Sequence, residues 1–151
     1  MSSTSKRRRG ERGTALVEFA ICFFVVWMLF SGVYAFGYGF YVYNRLETAV
    51  ANAALVGASY DYDSSNAAAY TTAVRNMVLY GDITAGTTPV VPGLAASNVQ
   101  VSVGMDANSV PRDVQVSISN YAISAVFRTF TLINKPRAVA RYTGRWLCTG
   151  C

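Results

Sequence analysis

Two features of this sequence could carry chemistry: a pair of cysteines near the C-terminus and a single carboxylate beside an apolar run. Cys148 and Cys151, in the segment CTGC, have the CxxC spacing of redox-active cysteines. A redox enzyme places such a pair at the N-terminus of a helix in a thioredoxin-like setting, whereas this pair occupies the last four residues. We therefore expect a disulfide, either local or to another chain, in an oxidising compartment.

The remaining inventory excludes most enzyme classes. The 151 residues include no histidine, which removes Ser-His-Asp and Cys-His arrangements and the commonest metal ligand. A structural zinc site needs four ligands, and two thiols supply only half of them. The third cysteine, Cys22, lies in the apolar run and is interpreted as a small apolar residue. We expect no enzyme activity, no metal and no cofactor.

The basic charge is confined to the start of the chain. Residues 1–13 contain five basic residues and one acidic residue, so they carry +4 of the formal net charge of +5. Residues 14–151 are therefore nearly neutral. This distribution argues against a nucleic-acid partner, which a basic face would recruit.

The lone carboxylate, Glu18, precedes 25 residues without a charge, from Phe19 to Tyr43. As a helix this run is about 37 Å long, enough to cross a hydrocarbon core of about 30 Å. Residues 14–43 are predicted to span a lipid bilayer. Because basic flanks stay in the cytoplasm, the N-terminus is predicted to be cytoplasmic and the C-terminal part extracytoplasmic. A secretory signal peptide cleaved after Ala35 is the alternative, but the apolar run continues beyond that point.

The outer half of this run has two further patterns. It is rich in tyrosine and phenylalanine, as expected at a membrane–water interface. Ser31, Ala35 and Gly39 recur every four residues and form a stripe of small side chains. Such a stripe allows close helix packing, although small residues are also common in spanning helices generally.

Residues 44–60 continue the helix as an amphipathic segment, without a proline to end it. Its apolar positions follow the spacing of one helical face. They are Leu46, Ala49, Val50, Ala53, Val56, Gly57 and Tyr60. One helix from Ala15 to Ser59 is therefore predicted, and its aqueous part needs an apolar surface to pack on.

Residues 61–151 are predicted to form that surface as a small α+β domain. Apolar spacing predicts a second helix that starts near Ala67 and stops at Gly81. Alternating residues over 99–105 and 114–118 predict an antiparallel hairpin, and 137–142 a third strand. Residues 123–132 could form a short helix or an apolar lid. The predicted fold is thus α+β: a long N-terminal helix packed on a second helix and a short antiparallel sheet of about three strands.

The segment RGTALVEF contains the motif that carries the most functional information. A short basic leader ends at Gly13, Thr14 opens the apolar helix, and Glu18 and Phe19 follow at positions five and six from Thr14. This arrangement resembles the N-terminus of type IV prepilin-like proteins. Together with the later segment YVYNRLETAVANAALVGASYD, it resembles the TadE-like minor pseudopilins of the tight-adherence (Flp) pilus system over residues 7–60.

The resemblance implies a processed assembly protein of the bacterial inner membrane. A prepilin-type peptidase would cleave between Gly13 and Thr14 and leave the apolar helix in place. Glu18 would then face the new N-terminal amine of a neighbouring subunit, and the partners would be other pilins or pseudopilins. Two alternatives stay open: Glu18 is solvated by headgroups and favours the helix N-terminus through its dipole, or the chain is an unprocessed bitopic binding protein unrelated to pili.

Overall fold

A computed structural model describes residues 7–124 and 129–147 of the chain, with side chains from Gly13 onward. The chain divides into two compact units, Met1–Tyr38 and Gly39–Cys151. Each unit is described by itself below.

The described part of the first unit is helical. Helix α1 runs from Arg7 to Ser59 and therefore continues into the second unit. Its end at Ser59 agrees with the predicted helix, but its start lies eight residues before the predicted Ala15. No proline interrupts residues 7–14, and the glycines there cost only about 1 kcal/mol each relative to alanine. Among the described residues, α1 is the one helix long and apolar enough to cross a membrane.

The described part of the second unit is built from the end of α1, one further helix and seven short strands. Three-residue 3₁₀ turns occur at Ser64–Asn66 and Ala96–Asn98. In chain order, the elements after α1 are β1 (Tyr62–Asp63), α2 (Ala67–Tyr80), β2 (Val99–Met105), β3 (Pro111–Ile118), β4 (Tyr121–Ser124), β5 (Thr129–Leu132), β6 (Arg137–Arg141) and β7 (Trp146–Leu147).

Helix α2 stops at Gly81, as the sequence predicts, and its N-cap is Asn66. The Asn66 side chain accepts a hydrogen bond from the Ala69 N–H at the start of the helix. At the other end, Gly81 adopts a left-handed conformation with φ of 75° and donates its N–H to the Met77 carbonyl. Only glycine adopts this conformation without a steric cost, so the helix stops there.

Strands β2, β3 and β6 form the three-stranded antiparallel sheet, with β3 in the centre. Val101 pairs with Val116, and Val114 pairs with Ala140, so one face of the sheet is apolar. Asp106 closes the β2–β3 turn by accepting hydrogen bonds from the backbone N–H groups of Asn108 and Val110. The predicted hairpin, third strand and α+β class are confirmed.

The structure differs from the sequence interpretation at residues 123–124 and 129–132, the described part of the segment 123–132. Instead of a helix or a lid, β4 and β5 form an antiparallel ladder in which Ile123 pairs with Phe130. Tyr121 and Ile123 are buried while Ala122 and Ser124 are exposed, which is the alternation of a half-buried strand. Strands β1 and β7 also form a parallel pair, Tyr62 with Trp146, that the sequence analysis did not predict.

The core of the second unit includes the predicted amphipathic segment of α1. The predicted face is buried at Leu46, Ala49, Val50, Ala53 and Gly57, partly buried at Val56, and exposed at Tyr60. Additional buried positions are Val42, Ala54 and Ala58. The face is wider than predicted because α1 contacts two layers within this unit. A Cβ atom on Gly57 would lie 3.0 Å from Val74 of α2 and 3.4 Å from Val114 of β3.

Candidate functional site

The candidate processing and assembly residues lie near the start of α1. Gly13, Thr14, Glu18 and Phe19 are all helical and exposed. Because Thr14 and Glu18 are four residues apart, they lie on one face of the helix, about 6 Å apart along its axis. Among the described residues, the ion pairs are Arg112–Asp113 and Arg145–Asp61, so Glu18 belongs to neither of them.

The surroundings of Glu18 are apolar and exposed. Leu16, Val17 and Phe19 have 59–70% of their surface exposed. None of residues 13–41 is buried in the structure. Such a surface is stable in lipid or against another apolar helix, and not in water. A carboxylate placed there is costly unless it is paired or held at the polar interface.

Phe19 is also the first member of an aromatic row that the sequence analysis missed. The rings of Phe19 and Phe23 have centroids 6.2 Å apart, and those of Phe23 and Trp27 are 6.3 Å apart. A second pair, Tyr34 and Tyr38, is stacked at 6.4 Å. The i, i+4 spacing of these aromatic residues in the sequence could have predicted this row.

The residues of the predicted small-residue stripe have intermediate exposure. Ser31 and Ala35 in the first unit and Gly39 in the second are each half-buried. A Cβ atom on Gly39 would have no atom within 4 Å, so the space beside it is open. The role of the stripe in packing stays a prediction.

The predicted cysteine pair, Cys148 and Cys151, lies outside the described residues. Cys22 is exposed with a free thiol on the apolar part of α1. Within residues 13–124 and 129–147, no group of three His, Cys, Asp or Glu side chains is placed to hold a metal ion.

A cluster of tyrosines, which the sequence analysis also did not predict, holds the end of α1 in place through hydrogen bonds. The buried Tyr70 hydroxyl donates to the Gly57 carbonyl at 2.6 Å. The Tyr142 hydroxyl accepts the Tyr62 N–H at 2.8 Å and lies 2.7 Å from the Arg145 carbonyl and 3.0 Å from the Tyr60 carbonyl. Burial raises the pKa of both hydroxyls, so both donate as neutral phenols at physiological pH.

The backbone after β6 caps the same helix end. The N–H groups of Thr143 and Gly144 both donate to the Ala58 carbonyl, at 2.7 and 2.9 Å. These bonds satisfy a terminal helix carbonyl that has no intrahelical partner. The contacts join residues more than 80 positions apart, which is why no local pattern indicates them.

The comparisons with known proteins concern the same long helix. The family model for TadE-like protein matches residues 13–55, which confirms the resemblance over that segment. The match begins at Gly13 and ends within α1, four residues before Ser59. No curated protein and no solved structure matches the chain.

Proposed function

From the TadE-like segment at residues 13–55, which implies a role in the tight-adherence (Flp) pilus system, we propose that this chain is a minor pseudopilin. In this proposal, a prepilin-type peptidase cleaves it between Gly13 and Thr14, and the processed chain acts in pilus assembly. The observation that carries the proposal is the coincidence of the family match with a helix whose large apolar side chains are exposed from Leu16 to Tyr41.

Cleavage at this position would act differently from removal of a signal peptide. It would remove the basic residues and retain the whole apolar helix with its membrane-spanning part. In the structure the Gly13–Thr14 bond is within α1, so a peptidase must unwind the first turns locally. Gly10 and Gly13 favour this unwinding, because glycine costs a helix about 1 kcal/mol relative to alanine.

Cleavage would also give Glu18 a partner. An α-amino group ordinarily has a pKa of about 7.7–8.0, so the new amine on Thr14 would be largely cationic at neutral pH. In an assembly of parallel helices, Glu18 of one chain would pair with the amine of its neighbour. The pair would neutralise both charges in apolar surroundings and determine the axial register of the two helices.

The proposed location follows from the charge distribution. The basic residues before Gly13 would keep the N-terminus in the cytoplasm, and residues 61–151 would fold outside the inner membrane. The partners would be the peptidase, other pilins or pseudopilins, and the lipid bilayer. We propose no catalytic activity, since the sequence offers no histidine for acid–base or nucleophilic chemistry.

The decisive measurement is the N-terminal residue of the protein purified from membranes. Thr14 supports the proposal, and a peptidase-deficient strain should then yield Met1 or Ser2. If the wild-type strain also yields Met1 or Ser2, the chain is an unprocessed bitopic protein with an extracytoplasmic binding domain. Phe36 would indicate a secreted protein.

The role of Glu18 is tested by Glu18→Ala and Glu18→Gln, scored for cleavage and for surface pili. Glu47→Gln is the matched control, because Glu47 is also exposed on α1 but lies outside the motif. We expect assembly to fail for both Glu18 variants and to persist for the control. Unchanged cleavage and pilus number in Glu18→Ala would refute the assigned role.

A further inference from the structure

The second unit contains an open groove between the aqueous part of α1 and the end of α2. We call it the Arg45 groove, and its volume is about 440 Å³. The α1 side supplies Tyr41, Asn44, Arg45, Thr48, Ala49 and Asn52, and the opposite side supplies Met77, Gly81 and Val90. All of these residues belong to the second unit.

Arg45 gives the groove a positioned positive charge. Its Nε donates to the Tyr41 hydroxyl at 3.1 Å, and its guanidinium carbon lies 5.5 Å from the centroid of the Tyr41 ring. These contacts hold the guanidinium and leave its two terminal NH₂ groups as donors. Arg45 is in neither of the ion pairs that the described residues form, and no carboxylate is among the described lining residues. The groove therefore fits a ligand with one negative charge.

The other lining groups indicate what surrounds that charge in the ligand. Asn44 and Asn52 supply amides, and the Thr48 hydroxyl donates to the Asn44 carbonyl at 2.9 Å, which leaves its lone pairs as acceptors. Amides and a hydroxyl suit a ligand with hydroxyl groups. Ala49, Met77 and Val90 add apolar surface, and Val90 is held there by its N–H bond to the Leu79 carbonyl at 2.7 Å. The ligand should thus also have an apolar portion.

The position of the groove along the sequence identifies the source of such a ligand. Tyr41 lies in the uncharged run that ends at Tyr43, and Arg45 is the first charge after it. If this run spans the bilayer, as the proposed function requires, the groove begins at the level of the outer headgroups.

We propose that the Arg45 groove binds the headgroup of one anionic phospholipid of the phosphatidylglycerol class. The phosphate would accept hydrogen bonds from Arg45, the glycerol hydroxyls would bond Asn44 and Asn52, and the carbon atoms of the headgroup would contact the apolar wall, while the acyl chains extend past Tyr41 into the bilayer. A headgroup with an ammonium, as in phosphatidylcholine, would bring a positive charge to a groove whose described lining has no carboxylate. One lipid molecule would thus bind specifically to the second unit.

The test uses the full chain in detergent, titrated with dioleoylphosphatidylglycerol or dioleoylphosphatidylcholine and measured by native mass spectrometry. We expect one phosphatidylglycerol molecule to be retained in preference to phosphatidylcholine. Arg45→Gln should weaken this retention about fivefold, the ratio expected for one arginine beside an anionic lipid. Arg141→Gln, an exposed arginine on β6 that is not part of the groove, is the matched control and should leave it unchanged.

A second variant separates groove binding from general attraction at a lipid surface. Thr48→Trp places a large ring in the groove at an exposed position of α1 and keeps Arg45. It should abolish the preference for phosphatidylglycerol while the circular dichroism spectrum stays native. Retention by Thr48→Trp at the wild-type level, or equal retention of the two lipids by the wild type, would overturn the proposal.

Glycerol phosphate, which lacks acyl chains, distinguishes the lipid from a soluble ligand. We expect no retention at the same concentration, and retention equal to that of the lipid would overturn the assignment of a lipid. The outcome is independent of pilus assembly, since lipid retention is measured on purified protein. Failure of cleavage at Gly13 would refute the proposed function alone, and loss of lipid preference would refute the groove alone.

Discussion

Replacing Tyr70 with phenylalanine is expected to have opposite effects on stability at neutral and at alkaline pH. Tyr70 is 2% exposed, and its hydroxyl donates to the Gly57 carbonyl at 2.6 Å. At neutral pH, loss of this hydrogen bond should lower the free energy of unfolding by about 1 kcal/mol. The loss stays moderate because the Gly57 carbonyl also accepts the Tyr60 N–H at 3.3 Å.

At alkaline pH the same hydroxyl becomes a liability for the native protein. Burial raises the pKa of Tyr70 above its usual value near 10. Above pH 10 the unfolded chain therefore loses this proton while the folded chain keeps it. The free energy of unfolding then falls by up to about 1.4 kcal/mol for each pH unit. Tyr70→Phe lacks this contribution, so the two proteins should have equal stability at about pH 10.7 and the variant should be more stable above it.

The assay is urea unfolding of the full chain in detergent micelles at pH 8, 10 and 11, followed by tryptophan fluorescence. Tyr80→Phe is the control on the same helix, because Tyr80 lies at the end of α2 and is only partly buried. The control should follow the wild type at every pH. If Tyr70→Phe loses as much stability between pH 10 and 11 as the wild type does, the burial argument for Tyr70 is wrong.

Three further perturbations test the packing and the surface of α1 and the cap that follows it. Gly57→Ala gains about 1 kcal/mol of helix propensity, but its methyl group would lie 3.0 Å from Val74 and cost about 1–3 kcal/mol. We therefore expect a lower melting temperature for this variant. Gly37→Ala, whose methyl group would lie in open space, should not lower the melting temperature. Hydrogen bonds from Ser65 lower the pKa of Asp63, so part of the stability should be lost as the pH falls below about 4, and Asp63→Asn should show less of this acid loss in urea titrations. Ala35→Leu should reduce pilus number while circular dichroism shows that the second unit stays folded. Val33→Leu, at an exposed position off the stripe, should leave pilus number unchanged. Equal pilus counts for the two variants would exclude the stripe as a packing surface.

The elements with long periodic patterns could be predicted from the sequence. The end of helix α2 could be predicted because Gly81 readily adopts the left-handed conformation that ends a helix. Strands β2 and β3 could be predicted because apolar and polar residues alternate along each of them. The wider buried face of α1 could not be predicted in the same way. Ala54 and Ala58 are buried because α1 contacts a helix and a sheet at once. Alanine is common on both buried and exposed faces of a helix, so the sequence did not indicate that these positions are buried.

The elements that were missed depend on contacts between distant parts of the chain. The β1–β7 pair has two residues in each strand, too few for any periodicity. The Tyr142 hydroxyl contacts backbone groups 80 and 82 positions away, so its role depends on the completed fold. At the candidate site, the positions of Gly13, Thr14, Glu18 and Phe19 follow from the sequence. The aromatic row that starts at Phe19 was available from the i, i+4 spacing and was overlooked.

The two parts of α1 make the effects of mutations separable, and this separation decides how Glu18 variants are interpreted. From Gly13 to Tyr38 the large side chains of α1 are exposed, and Glu18 is among them. In the second unit Leu46 is 0% exposed and Val50 is 1% exposed, so substitutions there act on folding. Substitutions at distant sites without shared partners usually have additive effects on stability. A Glu18 variant that loses pili should therefore keep the urea transition of the wild type, whereas Leu46→Ala should lose pili together with about 2–5 kcal/mol of stability. A Glu18 variant with a shifted urea transition would show that the carboxylate supports the fold of the single chain, and its assembly defect would then be secondary.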